Sequence, residues 1–171
     1  MSSQAWKNES KAGTWDIEFA LPEEAPELEA LLTEAGMGLW GAPEEYVIMK
    51  NADRIVGCAK LVFTGLNTFH LETLVIKPEV RGCGWGEAFL LELLRRPWAY
   101  CERTRYMPFL QEEAYRITVV ARGAVAGFYR RYGFRDYTFE GLPSPYREQC
   151  DGCEEFPGCN PVPLRFIGRV R

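Results

Sequence analysis

The stretch LETLVIKPEVRGCGWGEAFLLELL, residues 71–94, decides the reading of this chain. Apart from Glu72, residues 71–76 are mostly aliphatic or β-branched, the composition of a buried strand. Pro78 lacks the N–H that a ladder needs, so the strand is expected to stop near Lys77. Arg81-Gly82-Cys83-Gly84-Trp85-Gly86 follows at once. From Gly86 onward, Ala88, Phe89, Leu91, Leu93 and Leu94 supply helix formers with apolar residues at helical spacing. Strand, glycine-rich turn and helix, in that order, aim a row of unpaired backbone N–H groups at one spot. The positive end of the helix dipole adds to their pull on an anion, and the result is a phosphate cradle.

Two common phosphate motifs are excluded. A P-loop requires Lys and then Ser or Thr after its last glycine, and here Glu87 and Ala88 follow Gly86. A dinucleotide fingerprint requires G-x-G-x-x-G, and Gly82, Gly84 and Gly86 have the wrong spacing. What is present is R-x-x-G-x-G directly after a strand ending in x-x-P. This resembles the acetyl-CoA pyrophosphate motif of the GNAT superfamily of N-acetyltransferases. The resemblance implies a cofactor site formed by Arg81, Gly82, Cys83, Gly84, Trp85 and Gly86 together with the backbone of Leu74, Val75 and Ile76.

Outward from this stretch, 171 residues with 47% apolar and 26% charged side chains describe one globular domain with a real core. No run approaches the roughly 18 apolar residues of a membrane span, so no membrane partner is expected. The first 13 residues are polar, read as a flexible N-terminus, and lack the apolar segment of a signal peptide; a cytoplasmic protein is expected. A net charge of −4 argues against a nucleic-acid partner. Residues 1–80 hold 6 basic and 13 acidic side chains, whereas residues 81–171 hold 14 basic, all Arg, and 11 acidic. The half with the phosphate turn is thus the basic half, which suits an anionic cofactor.

Periodicity predicts a strand over 15–20, then a helix opening at Pro22 with Leu28, Leu31, Leu32 and Ala35 as its apolar stripe and Gly36 as its stop. Strands follow over 46–50 and 55–63 as a hairpin. After the glycine-turn helix, residues 97–115 form a long connection holding a helical turn or lining a binding site. A strand is expected over 116–121, a helix over 124–132, and strands over 134–139 and 163–170. The unit spanning 71–121 implies one parallel strand pair with a right-handed crossover, and the hairpins imply antiparallel pairs. The expected fold class is therefore a mixed α/β (α+β) fold: a central, mostly antiparallel twisted sheet flanked by helices. It resembles the GNAT fold from about Thr14 to the end of the chain, with a cysteine-bearing loop, residues 141–161, before the last strand.

A second motif strengthens the resemblance. Phe128-Tyr129-Arg130-Arg131-Tyr132-Gly133-Phe134 is similar to the family's helix ending, in which a Tyr lies near the CoA sulfur and often serves as general acid. That role falls to Tyr129. Family members often carry Asn seven residues earlier as a cofactor contact; this chain has Arg122, whose guanidinium suits a phosphate. Acetyl transfer to an amine also needs a proton acceptor. His70, Glu72, Leu74 and Ile76 share one strand face, and Glu72 interrupts an apolar run where an unpaired carboxylate is costly. Some GNAT enzymes place a catalytic Glu on this strand, which favours Glu72. Pairing with an Arg is the competing reading. His70, the only histidine, is expected as a partly exposed polar residue.

Cys150, Cys153 and Cys159 give C-x-x-C and a third thiol. The first pair has the spacing of a metal knuckle, but structural zinc needs a fourth ligand from elsewhere. Either bound zinc or a compact turn packed by reduced thiols is expected. The function implied is transfer of an acetyl group from acetyl-CoA to a primary amine on a small molecule or peptide, by a monomer or homodimer. The alternative is a non-catalytic acyl-CoA-binding module with a metal- or redox-sensing loop.

Overall fold

A computed structural model describes residues 8–10, 13–107, 114–154 and 158–170. In chain order the elements are β1 (Asn8–Ser10), β2 (Gly13–Phe19), α1 (Ala25–Glu34), β3 (Val47–Asn51), β4 (Arg54–Gly65), β5 (Thr68–Ile76), α2 (Trp85–Arg95), β6 (Ala114–Ala121), α3 (Ala126–Arg131), β7 (Arg135–Asp136) and β8 (Val162–Arg169). Among the described residues the strands form an eight-stranded mixed sheet in the order β1-β2-β3-β4-β5-β6-β8-β7. β5 and β6 run parallel, with His70 opposite Thr118, as a strand–helix–strand unit demands. β2/β3, β3/β4, β6/β8 and β7/β8 are antiparallel. β5 starts at Thr68, three residues earlier than its apolar run suggests, and so takes in His70.

By internal packing the chain falls into two compact units. One is Met1–Leu61 with Thr73–Tyr106, and the other is Val62–Glu72 with Met107–Arg171. In the first, a single 3-10 turn at Pro22–Glu24 precedes α1, and the Glu24 carboxylate accepts the Leu21 N–H at 2.8 Å. α1 lays Leu28, Leu31 and Leu32 against Ala20, Tyr46, Ile48, Ile55, Cys58 and Val75, all buried. Each large side chain so buried is worth about 1.5–3 kcal/mol. α2 buries Phe89, Leu90, Leu93 and Leu94. It also buries Glu92, which is tolerated because Arg95, Arg96 and Tyr100 all donate to its carboxylate. Part of the long connection after α2 is a 3-10 turn at Pro97–Ala99; residues 108–113 lie outside those described.

In the second unit, Phe69, Ile117, Phe134, Leu142 and Leu164 are buried. α3 is shorter than the predicted helix, because its first turn is a 3-10 turn at Gly123–Val125. The strand predicted over 134–139 survives as two residues only. Tyr137 still donates its N–H to the Pro163 carbonyl, but Thr138 accepts the Gly141 N–H and turns the chain away. Within 141–161, successive turns order the backbone: Tyr146 and Arg147 donate to the Pro143 carbonyl, and Glu148 donates to that of Pro145.

Candidate active site

The glycine turn is built as its sequence implies. Gly84 caps α2 in the left-handed region, φ 89° and ψ 5°, and its carbonyl accepts the Ala88 N–H at 3.0 Å. An L-residue reaches this conformation only with strain, although a β-carbon there would meet nothing within 4 Å. The requirement is therefore conformational, not steric. The N–H groups of Trp85, Gly86 and Glu87 open the helix and have no intrahelical acceptor. Arg81 turns back on the strand it follows, its Nε donating to the Ile76 carbonyl at 3.0 Å, which fixes the turn against the end of β5. Cys83 is exposed. Trp85 is buried. Leu74 and Ile76 are half-buried and Val75 is buried.

The remaining candidates lie in the second unit. Tyr129 is buried and seated edge-on against Phe128 and Phe134, with ring centroids 5.3 Å away in both cases. Gly133, at φ 97°, ends α3: the Phe134 N–H reaches the Tyr129 carbonyl and the Gly133 N–H that of Arg130. This pair of bonds with its apolar contact is a Schellman closure, and it locks Tyr129 to the residue after the glycine. Burial pushes the Tyr129 phenol up to about 12, so it keeps its proton at any working pH. Arg122 is exposed at the end of β6.

Glu72 is half-buried, and its Oε2 accepts the Tyr146 hydroxyl at 2.6 Å. The bond reaches the Glu72 carboxylate from a phenol 74 positions away in the sequence. His70 differs from expectation. It is 2% exposed, its Nδ1 lies 2.8 Å from Thr118 Oγ1, and its ring stacks on Tyr146 at 3.7 Å. Burial pushes its pKa down to about 3, so the imidazole is neutral and a poor proton acceptor near pH 7. Tyr146 is the residue that sequence reasoning missed. The only signal was an aromatic residue in a proline-rich loop, and its partner lies 74 positions away.

Cys150, Cys153 and Cys159 are all free thiols; Cys153 is exposed and the other two half-buried. They are near enough to one another that burial, with Cys153 and Cys159 adding to it, raises the Cys150 thiol. Yet among the described residues no group of three His, Cys, Asp or Glu is arranged to hold a metal. Among the described residues, the Cys153 N–H donates to the Cys150 carbonyl and the Gly123 N–H to the Cys159 carbonyl. Cys150→Ser and Cys153→Ser are therefore expected to cost less than about 1 kcal/mol each in urea unfolding. Losses of several kcal/mol, or stoichiometric metal in elemental analysis, would decide for zinc over packed thiols.

Comparison with known proteins places the chain. A family model for the acetyltransferase (GNAT) domain matches residues 42–136, more than half of the sequence. The chain belongs to the GNAT acetyltransferases. Among solved structures it is similar to N-acetylglutamate synthase of Neisseria gonorrhoeae, determined with coenzyme A and N-acetyl-glutamate. The TM-score is 0.66 at 19% identity, over 92% of this chain and 35% of that one. It is also similar to Rv2747 of Mycobacterium tuberculosis, determined with CoA (TM-score 0.62, 16% identity, 89% and 98% of the two chains). A GNAT-family acetyltransferase of Staphylococcus aureus matches with TM-score 0.59 at 15% identity, over 90% and 98%. The chain spans about a third of the length of the synthase. At these identities the likeness establishes the fold. No helix among the described residues is long and apolar enough to cross a membrane.

Proposed function

We propose that residues 14–171 act as one N-acetyltransferase domain that carries the acetyl group of acetyl-CoA to a primary amine by direct attack. The observation that carries this reading is the row of N–H groups without a side-chain cap at the start of α2, set by the left-handed Gly84 in the turn after β5. The CoA pyrophosphate is the anion it suits, with the backbone of Leu74, Val75 and Ile76 beside the pantetheine and Arg122 as a further contact. Glu72 accepts the proton of the attacking amine, directly or through water. The C–N bond forms as the C–S bond breaks, and Tyr129 protonates the departing thiolate. Burial keeps the phenol protonated at working pH, so the group holds the proton that the thiolate takes.

The synthase structure holds N-acetyl-glutamate, and a further similar structure is the ribosomal-protein-S18-alanine N-acetyltransferase of Escherichia coli. An acceptor panel of amino acids, peptides with N-terminal alanine and other primary amines tests this reading. Release of free CoA with at least one of these amines is the expected result. Acetyl-CoA binding without release of CoA across the panel overturns catalysis and leaves a binding module. Tyr129→Phe is expected to keep acetyl-CoA affinity while kcat falls on the order of 10- to 1000-fold, and Glu72→Gln to lower kcat on the order of 100-fold. Parent-like turnover in both variants would leave positioning alone as the source of rate.

A further inference from the structure

Glutamate on a strand has three rotatable side-chain bonds, and a half-buried carboxylate is not aimed by burial alone. Glu72 is aimed by a neighbour. The Tyr146 hydroxyl donates to its Oε2 at 2.6 Å, a short charge-assisted bond. Tyr146 is itself held from three sides. Its ring lies nearly parallel to the His70 imidazole, 3.7 Å away at 16°. Its backbone N–H is tied to the Pro143 carbonyl at 2.9 Å, in a turn that directly follows the fully buried Leu142. The neighbouring Arg147 donates its Nε to the Leu142 carbonyl at 3.1 Å. His70 in turn is pinned at Nδ1 by Thr118 across the parallel β5/β6 pair. Thr118, His70, Tyr146 and Glu72 thus form a chain of fixed groups that ends on one carboxylate oxygen.

We infer that Tyr146 is a positioning residue for the transfer reaction: its hydroxyl orients the Glu72 carboxylate toward the incoming amine, so that the loop carrying residues 142–149 completes the base. The inference rests on the reading of Glu72 as the proton acceptor. As the amine nitrogen attacks, its proton moves to the Glu72 carboxylate. The Tyr146 phenol keeps its own proton throughout and neither gives nor takes one. The His70 imidazole, neutral and desolvated, serves as a flat platform for the ring.

Tyr146→Phe keeps the ring and its stack and removes only the hydroxyl. With the fastest amine of the acceptor panel, kcat is expected to fall about 10-fold, with KM for acetyl-CoA within about 2-fold of the parent and an unchanged thermal midpoint. Placed on Glu72→Gln, the same change is expected to cost nothing further, because the group that it orients is already gone. Glu72→Asp, which withdraws the carboxylate from the hydroxyl by one methylene, should show a loss similar to that of Tyr146→Phe. Parent-like kcat in Tyr146→Phe, with Glu72→Gln impaired, overturns the inference and leaves the base reading standing. A further 10-fold loss in the double variant overturns it too, since the hydroxyl would then act elsewhere. Full activity in Glu72→Gln removes the base reading, and this inference with it.

Discussion

In Gly84→Glu, acetyl-CoA binding measured by calorimetry is expected to fall at least about 100-fold, a loss of about 2.7 kcal/mol. Two effects add. Gly84 holds φ at 89°, and any β-carbon there costs about 1–2 kcal/mol of backbone strain or shifts the cap of α2. The added carboxylate then faces the pyrophosphate: two like charges about 4 Å apart repel by about 4 kcal/mol at an effective dielectric of 20. Gly84→Ala separates the two terms, carrying the strain without the charge, and a drop of about 10-fold is expected. The space beside Gly84 is open, so neither variant needs to unfold. Undiminished affinity in Gly84→Glu would remove α2 as the phosphate site.

The second large effect is on stability against acid. His70 titrates at 6.5 in an unfolded chain and at about 3 in the fold, where burial disfavours its cation. Between these values the unfolded chain binds one proton more than the native one. The stability that this supplies is complete above pH 6.5 and is lost as the pH falls toward 3, at about 1.4 kcal/mol per pH unit. Urea midpoints taken from pH 7.5 down to 4.5 are expected to decline faster in the parent than in His70→Gln, which retains a polar partner for Thr118 but does not titrate. Other carboxylates titrate in both proteins, so the difference between the two slopes isolates the histidine. Equal slopes would mean that the imidazole is protonated in the native state.

Local motifs were legible because their physics is local. Pro78, the spacing of Gly82 and Gly84, and the apolar rhythm after Gly86 define strand, turn and helix within 24 residues, and the fold contains all three. Gly133-Phe134 was legible for the same reason, since a Schellman closure joins residues five apart. Mixed pairing followed from connection lengths, as the parallel β5/β6 pair bears out. The misses depend on distant partners. The exposure of His70 is set by Tyr146, 76 positions on, and by Thr118, 48 on; no window along the sequence contains both. β7 shrank because the Thr138–Gly141 turn overrode the β-propensity of Tyr137 and Phe139. For the cysteine loop, C-x-x-C spacing specifies which thiols can meet, while the choice between metal and packed thiols turns on partners from elsewhere in the chain.

The division of the chain into two compact units has a consequence for how it can emerge from a ribosome. The chain passes from one unit to the other three times, after Leu61, after Glu72 and after Tyr106. Residues 62–72 therefore emerge early, yet β6, the parallel partner of the first half of β5, emerges only some 45 residues later. Until then Phe69 and His70 have no β6 strand to pair with, while the second half of the same strand, with Val75, already has the segments of its own unit available. No single cut yields either unit whole without an interruption. A fragment ending at residue 106 would hold every segment of the first unit and, looped out of it, the Glu72 strand without the Tyr146 that orients it.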